Sequence, residues 1–376
     1  MELIDADGRL APVLKILTDY PRDDLAHDEV HQSLVTACVK RGVWPANIDV
    51  GAIPSLDTIV AGFKTAQLVF NSALGYGHIF HTNCAPRKNI VSVQSKGEKI
   101  VLGMTRTGVV LLVVNAGYTL APFYEAVHAG EITFYQTSVP DAGSQFRSRD
   151  YFPDAMADLT LHLSDRLKVL GKERIRKLLQ AHAFHEILQG LEYLGEPLNL
   201  GSFPHLPDGC VYYVDSFGNI KLNIKHNKVT GFYPAGTSLV IALGNTVSDV
   251  VVGDSGFSMG EGVLAITSGS SGWAVGREGK AMFSELFLRG GRADAHFPGF
   301  RTGDQVIAMT RTDLQRVIDM LRSASRDVSD KLDLHNTSEP RIMQALARAR
   351  LIRNGFDSTE LQNSFSRGDL LKRLMA

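Results

Sequence analysis

Residues 211–224, VYYVDSFGNIKLNI, bring a carboxylate, a carboxamide and a glycine into one short stretch. Asp215-Ser216-Phe217-Gly218-Asn219 falls where two β-favouring runs meet, so the pattern reads as strand, tight turn, strand. Gly218 is free to take a positive φ, whereas an ordinary hairpin would use Asn-Gly or Asp-Gly alone. The added acceptor and amide point to a turn that holds a ligand; a decorated structural turn is the alternative. Further polar clusters occur upstream, at Asp19 to Asp24, at Asn71-Ser72 and at Asn115-Ala116-Gly117. Taken singly, each is equally consistent with helix capping or turn formation.

These residues need elements to position them. Residues 13–17 form a short apolar strand, and Leu34, Val35, Cys38 and Val39 recur at helical spacing before an Arg41-Gly42 stop. Residues 48–50 read as a second strand, 56–68 as a helix, and 90–93, 100–102 and 109–114 as strands. This alternation predicts a layered α/β domain with a mostly parallel sheet, whose buried strands are apolar on both faces, as 109–114 is. In such sheets ligands bind beyond the carboxyl ends of the strands, where this assignment puts all three polar clusters. Residues 156–163 and 175–194 are helical in pattern, and 195–207, rich in Gly and Pro, reads as a linker. Short strands at 238–243, 247–252, 262–267 and 306–309 then predict a β-barrel. Beyond Thr312 helical spacing returns, with Ser338 and Pro340 opening a helix that Asn354-Gly355 stops. The expected organisation is thus an α/β domain over residues 1–195, a β-barrel over 208–311 and a helical extension over 312–376. The extension carries amphipathic helices too short to stand alone in water, so it should dock on the barrel or on a neighbouring subunit.

Composition limits the function classes. The 376 residues have 44% hydrophobic content and a formal net charge of −1, so no global field recruits nucleic acid or anionic lipid. Cys38, Cys84 and Cys210 form no metal-ligand pattern and suggest free thiols in a reducing compartment. The first residues carry charges where a signal peptide needs an apolar core, and no apolar run approaches the ~20 residues needed to span a bilayer. A soluble, cytoplasmic protein is expected, with no metal and no cofactor.

Other signals fail. Gly253-Asp254-Ser255-Gly256 continues with Phe257 rather than the Gly of a trypsin-like nucleophile loop. Residues 276–280, GREGK, lack the first Gly and the final Ser/Thr of a phosphate loop, where Ala274 and Ala281 stand. His182 and His185 share a helix face without an HExxH frame.

Together the clusters resemble the S-adenosyl-L-methionine (SAM) hydroxide adenosyltransferase family, which includes the fluorinase and chlorinase. Leu17-Thr18-Asp19-Tyr20 resembles that family's opening Thr-Asp-Phe/Leu-Gly, and residues 49–63 resemble its Ile-Pro, Asp and helix segment. Asn71-Ser72-Ala73-Leu74-Gly75 stands for Asp-Pro-Gly-Val-Gly, and Asn115-Ala116-Gly117 for Asp-Asn-Gly. Phe146-Arg147-Ser148-Arg149-Asp150 resembles Phe-His-Gly-Arg-Asp of the hydrolases and Phe-Tyr-Ser-Arg-Glu of the fluorinase. The Asp215 to Asn219 turn with Asn223-Ile224 is the most specific match, and residues 269–281 resemble the hairpin that closes over the ligand.

The resemblance implies an N-terminal α/β domain joined to a C-terminal barrel, in a homotrimer with inter-subunit sites for a small-molecule nucleoside substrate. It implies that Asp19 accepts both ribose hydroxyls, that Asp24 and Asp215 lie near the methionine ammonium, and that Asn219 meets the adenine edge. Asn115 and Phe217 join the binding set, Ser268 or Ser270 meets the carboxylate, and Arg277 approaches the adenine. The chemistry implied is attack on C5′ of SAM by water, giving adenosine and L-methionine. Sulfonium is an excellent leaving group, so an aligned, desolvated nucleophile is the main need. The sequence departs from the pattern at the catalytic set: Asn71 replaces an Asp, and Arg147 replaces a His. Arg cannot act as a base near neutral pH. The family Arg corresponds to Arg87 or, by spacing, to His78, and the stretch YGHIFHTNCAP reads as an insertion in which His78 or His81 could replace the base. Ser148 stands where the fluorinase contacts halide. A SAM- or adenosine-binding protein with little turnover and a SAM-dependent 5′-halogenase are the alternatives to a SAM hydrolase.

Overall fold

The computed structural model describes residues 11–86, 98–138, 146–276, 279–323 and 338–375. Apolar alternation starts the first sheet. In β1 (Val13–Thr18), Leu14 and Ile16 bury fully on one face, with Val30 and Leu34 of α1 (Leu25–Lys40) in the same core. Leu17, on the other face, packs with Ile53, Cys84 and Ala61, the last from α2 (Thr58–Phe70). β2 (Asn47–Ala52) flanks β1 on one side and β3 (His78–Asn83) on the other, both parallel to it. β5 (Val110–Val114) pairs parallel with β3 and is buried throughout, as its unbroken apolar run requires.

β4 (Ile100–Thr105), β6 (Ile132–Thr137) and β7 (Leu194–Pro197) extend the sheet antiparallel, giving the order β2-β1-β3-β5-β4-β6-β7. The α/β class holds, and the parallel part is confined to β2, β1, β3 and β5. Part of the expected linker is β7. Helix α3 (Tyr124–His128) precedes β6, and α4 (Arg147–Asp150) and α5 (Phe152–Gln180) lie between β6 and β7, α5 being interrupted at Gly171, where φ is 69°. The strand expected at 90–93 lies outside the described residues.

The stretch YGHIFHTNCAP contains β3, an inner strand of this sheet. It lies between β1 and β5, and its neighbours meet its polar side chains in part: Thr82 meets Thr65 of α2 at 2.7 Å, and His81 Nδ1 meets the Leu112 carbonyl at 3.0 Å.

By contacts the chain forms two compact units, Met1–His205 with Trp273–Gly279, and Leu206–Gly272 with Lys280–Ala376. Within the first, Trp273 stacks on Phe70 with ring centroids 5.8 Å apart. The second is built on β8 (Val211–Val214), β9 (Ile220–Lys225), α6 (His226–Phe232), β10 (Ser238–Leu243), β11 (Thr246–Ser255), β12 (Leu264–Ala274), β13 (Lys280–Leu288) and β14 (Ile307–Thr310). The order is β14-β10-β11-β12-β13-β9-β8. A bridge between Cys210 and Gln305 joins the two ends, so the sheet curls around a core that includes Ile220, Leu222, Ile241 and Leu286.

The opposite face of β10 and β14 carries Val240, Ala242, Ile307 and Met309. They are covered by α7 (Arg311–Ser323), α8 (Glu339–Arg348), α9 (Thr359–Arg367) and α10 (Leu370–Met375), through Leu314, Val317, Leu346, Leu361 and Leu370. The helical extension is therefore a layer of the second unit and not a domain of its own.

Candidate functional site

Parallel β1 and β3 end together, with Thr18 opposite Asn83, and the chain beyond them carries the polar groups. The Asp19 N–H donates to the Asn83 carbonyl at 3.2 Å, and the Asp19 carboxylate accepts from the Leu56 N–H at 3.3 Å. Leu56 holds a φ of 62°, a left-handed conformation that costs a non-glycine residue about 1–3 kcal/mol. Burial raises the Asp19 pKa, against hydrogen bonds from the Leu56 N–H and the Cys84 thiol that pull it down. Asp19 opens on a cavity of about 250 Å³ that Tyr20, Asn83, Arg147, Ser148 and Phe152 also line. There the Tyr20 hydroxyl lies 2.9 Å from the Ser148 hydroxyl. The Arg147 guanidinium donates to the Glu98 carbonyl at 3.0 Å and sits 5.5 Å from the Phe152 ring centre. One carboxylate, one guanidinium, one amide and two hydroxyls thus converge on a small, half-open cleft, a set suited to a polar ligand bearing hydroxyls.

Several expected site residues lie elsewhere. Asn71 ends α2, is exposed, and turns its amide back to the Gln67 carbonyl at 2.8 Å. His78 opens β3 level with Val13, roughly 16 Å along the strand from Asn83 at ~3.3 Å per residue. Its Nδ1 lies 3.0 Å from the Ser72 hydroxyl, and burial with Lys15 nearby lowers its pKa. Asn71 and His78 are therefore not part of the Asp19 cavity. Asn83, at the end of β3, does line it. Asp24 is exposed and caps α1, accepting from the Ala26 N–H at 2.8 Å. Asn115 follows β5, half-buried, its N–H on the Lys99 carbonyl, and it is not among the cavity-lining residues. Arg87 and Arg277 lie outside the described residues.

In the second unit the Asp215 turn has the expected form. Gly218 takes φ 83°, and a Cβ there would lie 2.6 Å from Asp294 Oδ1. Asp215 Oδ1 accepts from the Phe217 and Asn219 N–H groups, and Oδ2 from Asn219 Nδ2, each at 3.0 Å. Burial alone would raise the Asp215 pKa, but these bonds and the Lys221 ammonium 3.2 Å away outweigh it and lower the value. Phe217 is 75% exposed. Ser268 is half-buried in β12, and the exposed Ser270 accepts from Lys221 at 3.4 Å. Lys221 and its ion-pair partner Glu285 were not singled out from the sequence.

Fold and sites together define a two-unit α/β protein with a parallel sheet end furnished for a small polar ligand and a structured acidic turn in its curled second sheet. No family model matches the chain, and no curated protein matches it. Among solved structures the chain is similar to an uncharacterized conserved protein from Thermotoga maritima, with a TM-score of 0.52 at 16% identity over 79% of this chain and 100% of that one. A conserved hypothetical protein from Thermus thermophilus gives a TM-score of 0.46 at 16% identity, also over 79% of this chain and all of that one. The Thermotoga likeness is one of fold.

Proposed function

We propose that this chain binds S-adenosyl-L-methionine and cleaves it with water to adenosine and L-methionine. The observation that carries the reading is Asp19, a buried carboxylate at the carboxyl end of β1 facing a polar cavity. Paired hydroxyls of a ribose would meet it as donors and offset the cost of its burial. The Tyr20 and Ser148 hydroxyls, with Asn83 and Arg147, are then the groups available to hold a water near C5′. In the reaction the water oxygen bonds to C5′ as the C5′–S bond breaks. Sulfur leaves with the electron pair as neutral methionine thioether, and the proton passes to solvent. Assembly as a homotrimer, in which a neighbouring subunit contributes its Asp215–Asn219 turn and Ser270, belongs to the same proposal.

A second reading, binding with little turnover, is favoured by one feature: no imidazole lines the cavity among the described residues. Incubation with SAM, with and without halide salts, followed by chromatography separates the cases. Adenosine with methionine supports hydrolysis, a 5′-halo-adenosine supports halide attack through Ser148, and a bound but unchanged nucleoside supports binding alone. Asp19→Ala should weaken nucleoside binding by about 2–4 kcal/mol, since it strands two buried hydroxyls. Calorimetry showing unchanged affinity would remove the site assignment.

A further inference from the structure

Lys221 has no part in the reading above, yet it is the most enclosed charge of the second unit's site. It lies in β9 between Ile220 and Leu222, which enter the core, so its side chain leaves by the other face. The side chain is 4% exposed and its ammonium has three partners: Glu285, Asp215 Oδ2 at 3.2 Å and Ser270 Oγ at 3.4 Å. Glu285 stands opposite it on β13, its side chain 9% exposed. Gly269 of β12 lies close against it, since a Cβ there would be 2.8 Å from Glu285 Oε2 and 2.9 Å from the Phe283 carbonyl.

A buried ion pair is an expensive way to hold two strands, since apolar side chains of similar size do as well or better. Its location explains it better than stability does. The Asp215 carboxylate accepts three hydrogen bonds from its own turn, from the Phe217 N–H, the Asn219 N–H and Asn219 Nδ2, and pairs with the Lys221 ammonium at 3.2 Å. Asp215 is therefore the internal strut of its turn rather than a group awaiting a ligand. Lys221 ties that strut to β12 through Ser270 and to β13 through Glu285.

We propose that Lys221, held by Glu285, is a positioning residue that sets the Asp215–Asn219 turn and Ser270 in a fixed register for the incoming ligand. The ligand class is the sulfonium nucleoside of the preceding section, and the inference rests on that reading. The test compares the wild-type chain with Lys221→Met and with the double variant Lys221→Met/Glu285→Leu. The single change leaves the buried Glu285 and the half-buried Asp215 carboxylates without their shared cation, whereas the double change removes both charges of the Lys221–Glu285 pair. Thermal unfolding, hydrogen exchange at the Phe217 and Asn219 amides, and calorimetry with adenosine and SAM are measured on each. In the double variant the melting temperature should stay near wild type, both amides should exchange about tenfold faster or more, and the Kd should rise about tenfold or more. If the double variant folds with amide protection and affinity unchanged, the inference is overturned. It is overturned too if affinity falls while the amides stay protected, or if neither variant folds, because the pair is then a ligand contact or a structural bolt. Should wild type bind neither SAM nor adenosine, the functional reading fails by itself, and the amide exchange still decides whether Lys221 sets the turn.

Discussion

Lowering the pH from 7 to 4 should cost this protein stability through His81. The imidazole is 1% exposed in the middle of β3, with Nδ1 on the Leu112 carbonyl and the Phe152 ring 4.9 Å away. Nε2 is buried without a hydrogen-bond partner among the described residues, so a second N–H would have no acceptor there. Burial therefore lowers the pKa from 6.5 to about 4, against the Leu112 bond that raises it. The unfolded chain takes up a proton near 6.5 and the folded chain only near 4, so between these values the unfolded state binds more protons. Stability from the neutral ring is full above 6.5 and is lost as pH falls toward 4. At about 1.4 kcal/mol per pH unit this comes to about 3 kcal/mol, a large share of the ~5–15 kcal/mol of a typical domain. Urea unfolding of wild type and His81→Leu at pH 7, 5.5 and 4 isolates the effect. His78 and His226, whose pKa values burial also lowers, are present in both proteins and cancel in the difference. The variant should be the less stable at pH 7, and its deficit should shrink by about 3 kcal/mol by pH 4. Parallel stability curves would refute the reasoning.

Asn83→Ala should weaken adenosine or SAM binding by about 1–3 kcal/mol, while Asn71→Ala should leave it unchanged; calorimetry giving the reverse order would return the site to the end of α2. Asp24→Ala should cost about 1 kcal/mol of stability by removing the cap of α1, with nucleoside affinity intact. A tenfold loss of SAM affinity in that variant would instead support the ammonium role implied by resemblance. Deleting the chain after Thr310 should bare Val240, Ala242, Ile307 and Met309, so the melting temperature should fall and a hydrophobic dye should bind. A truncated protein with an unchanged melting curve and no dye binding would mean that the helices do not stabilise the barrel.

Much of the architecture was legible because local pattern and burial agree. The apolar run at 109–114 announced a strand covered on both faces, and β5 is one. The helix expected at 56–68 is α2, displaced by two residues at each end, with Asp57 as its cap. Asp19 and the Asp215 turn were legible because a carboxylate just past an apolar strand, or beside a turn glycine, is a local signal. β3 was not. Its letters, HIFHTN, read as polar, and only partners distant in sequence make His81, Thr82 and Asn83 tolerable inside a sheet. Asn83, which lines the Asp19 cavity, was therefore not singled out, and Asn71 was named instead from its place in the resembled motif. The Lys221–Glu285 pair was missed for a similar reason, since a charge within a strand can be placed only when its partner across the sheet is known.

The helical layer over β10 and β14 also has a consequence for how the protein is made. A ribosome delivers the barrel strands first and the residues that cover them last. When Thr310 has emerged, the apolar outer face of the barrel is complete but bare, and Leu370, the last buried member of its cover, is still to come. At ~5–20 residues per second, the interval lasts roughly 3–12 seconds. Throughout that time the nascent chain presents a hydrophobic surface that its own later segment will claim. Competition for that surface, by chaperones or by other nascent chains, is therefore built into its synthesis.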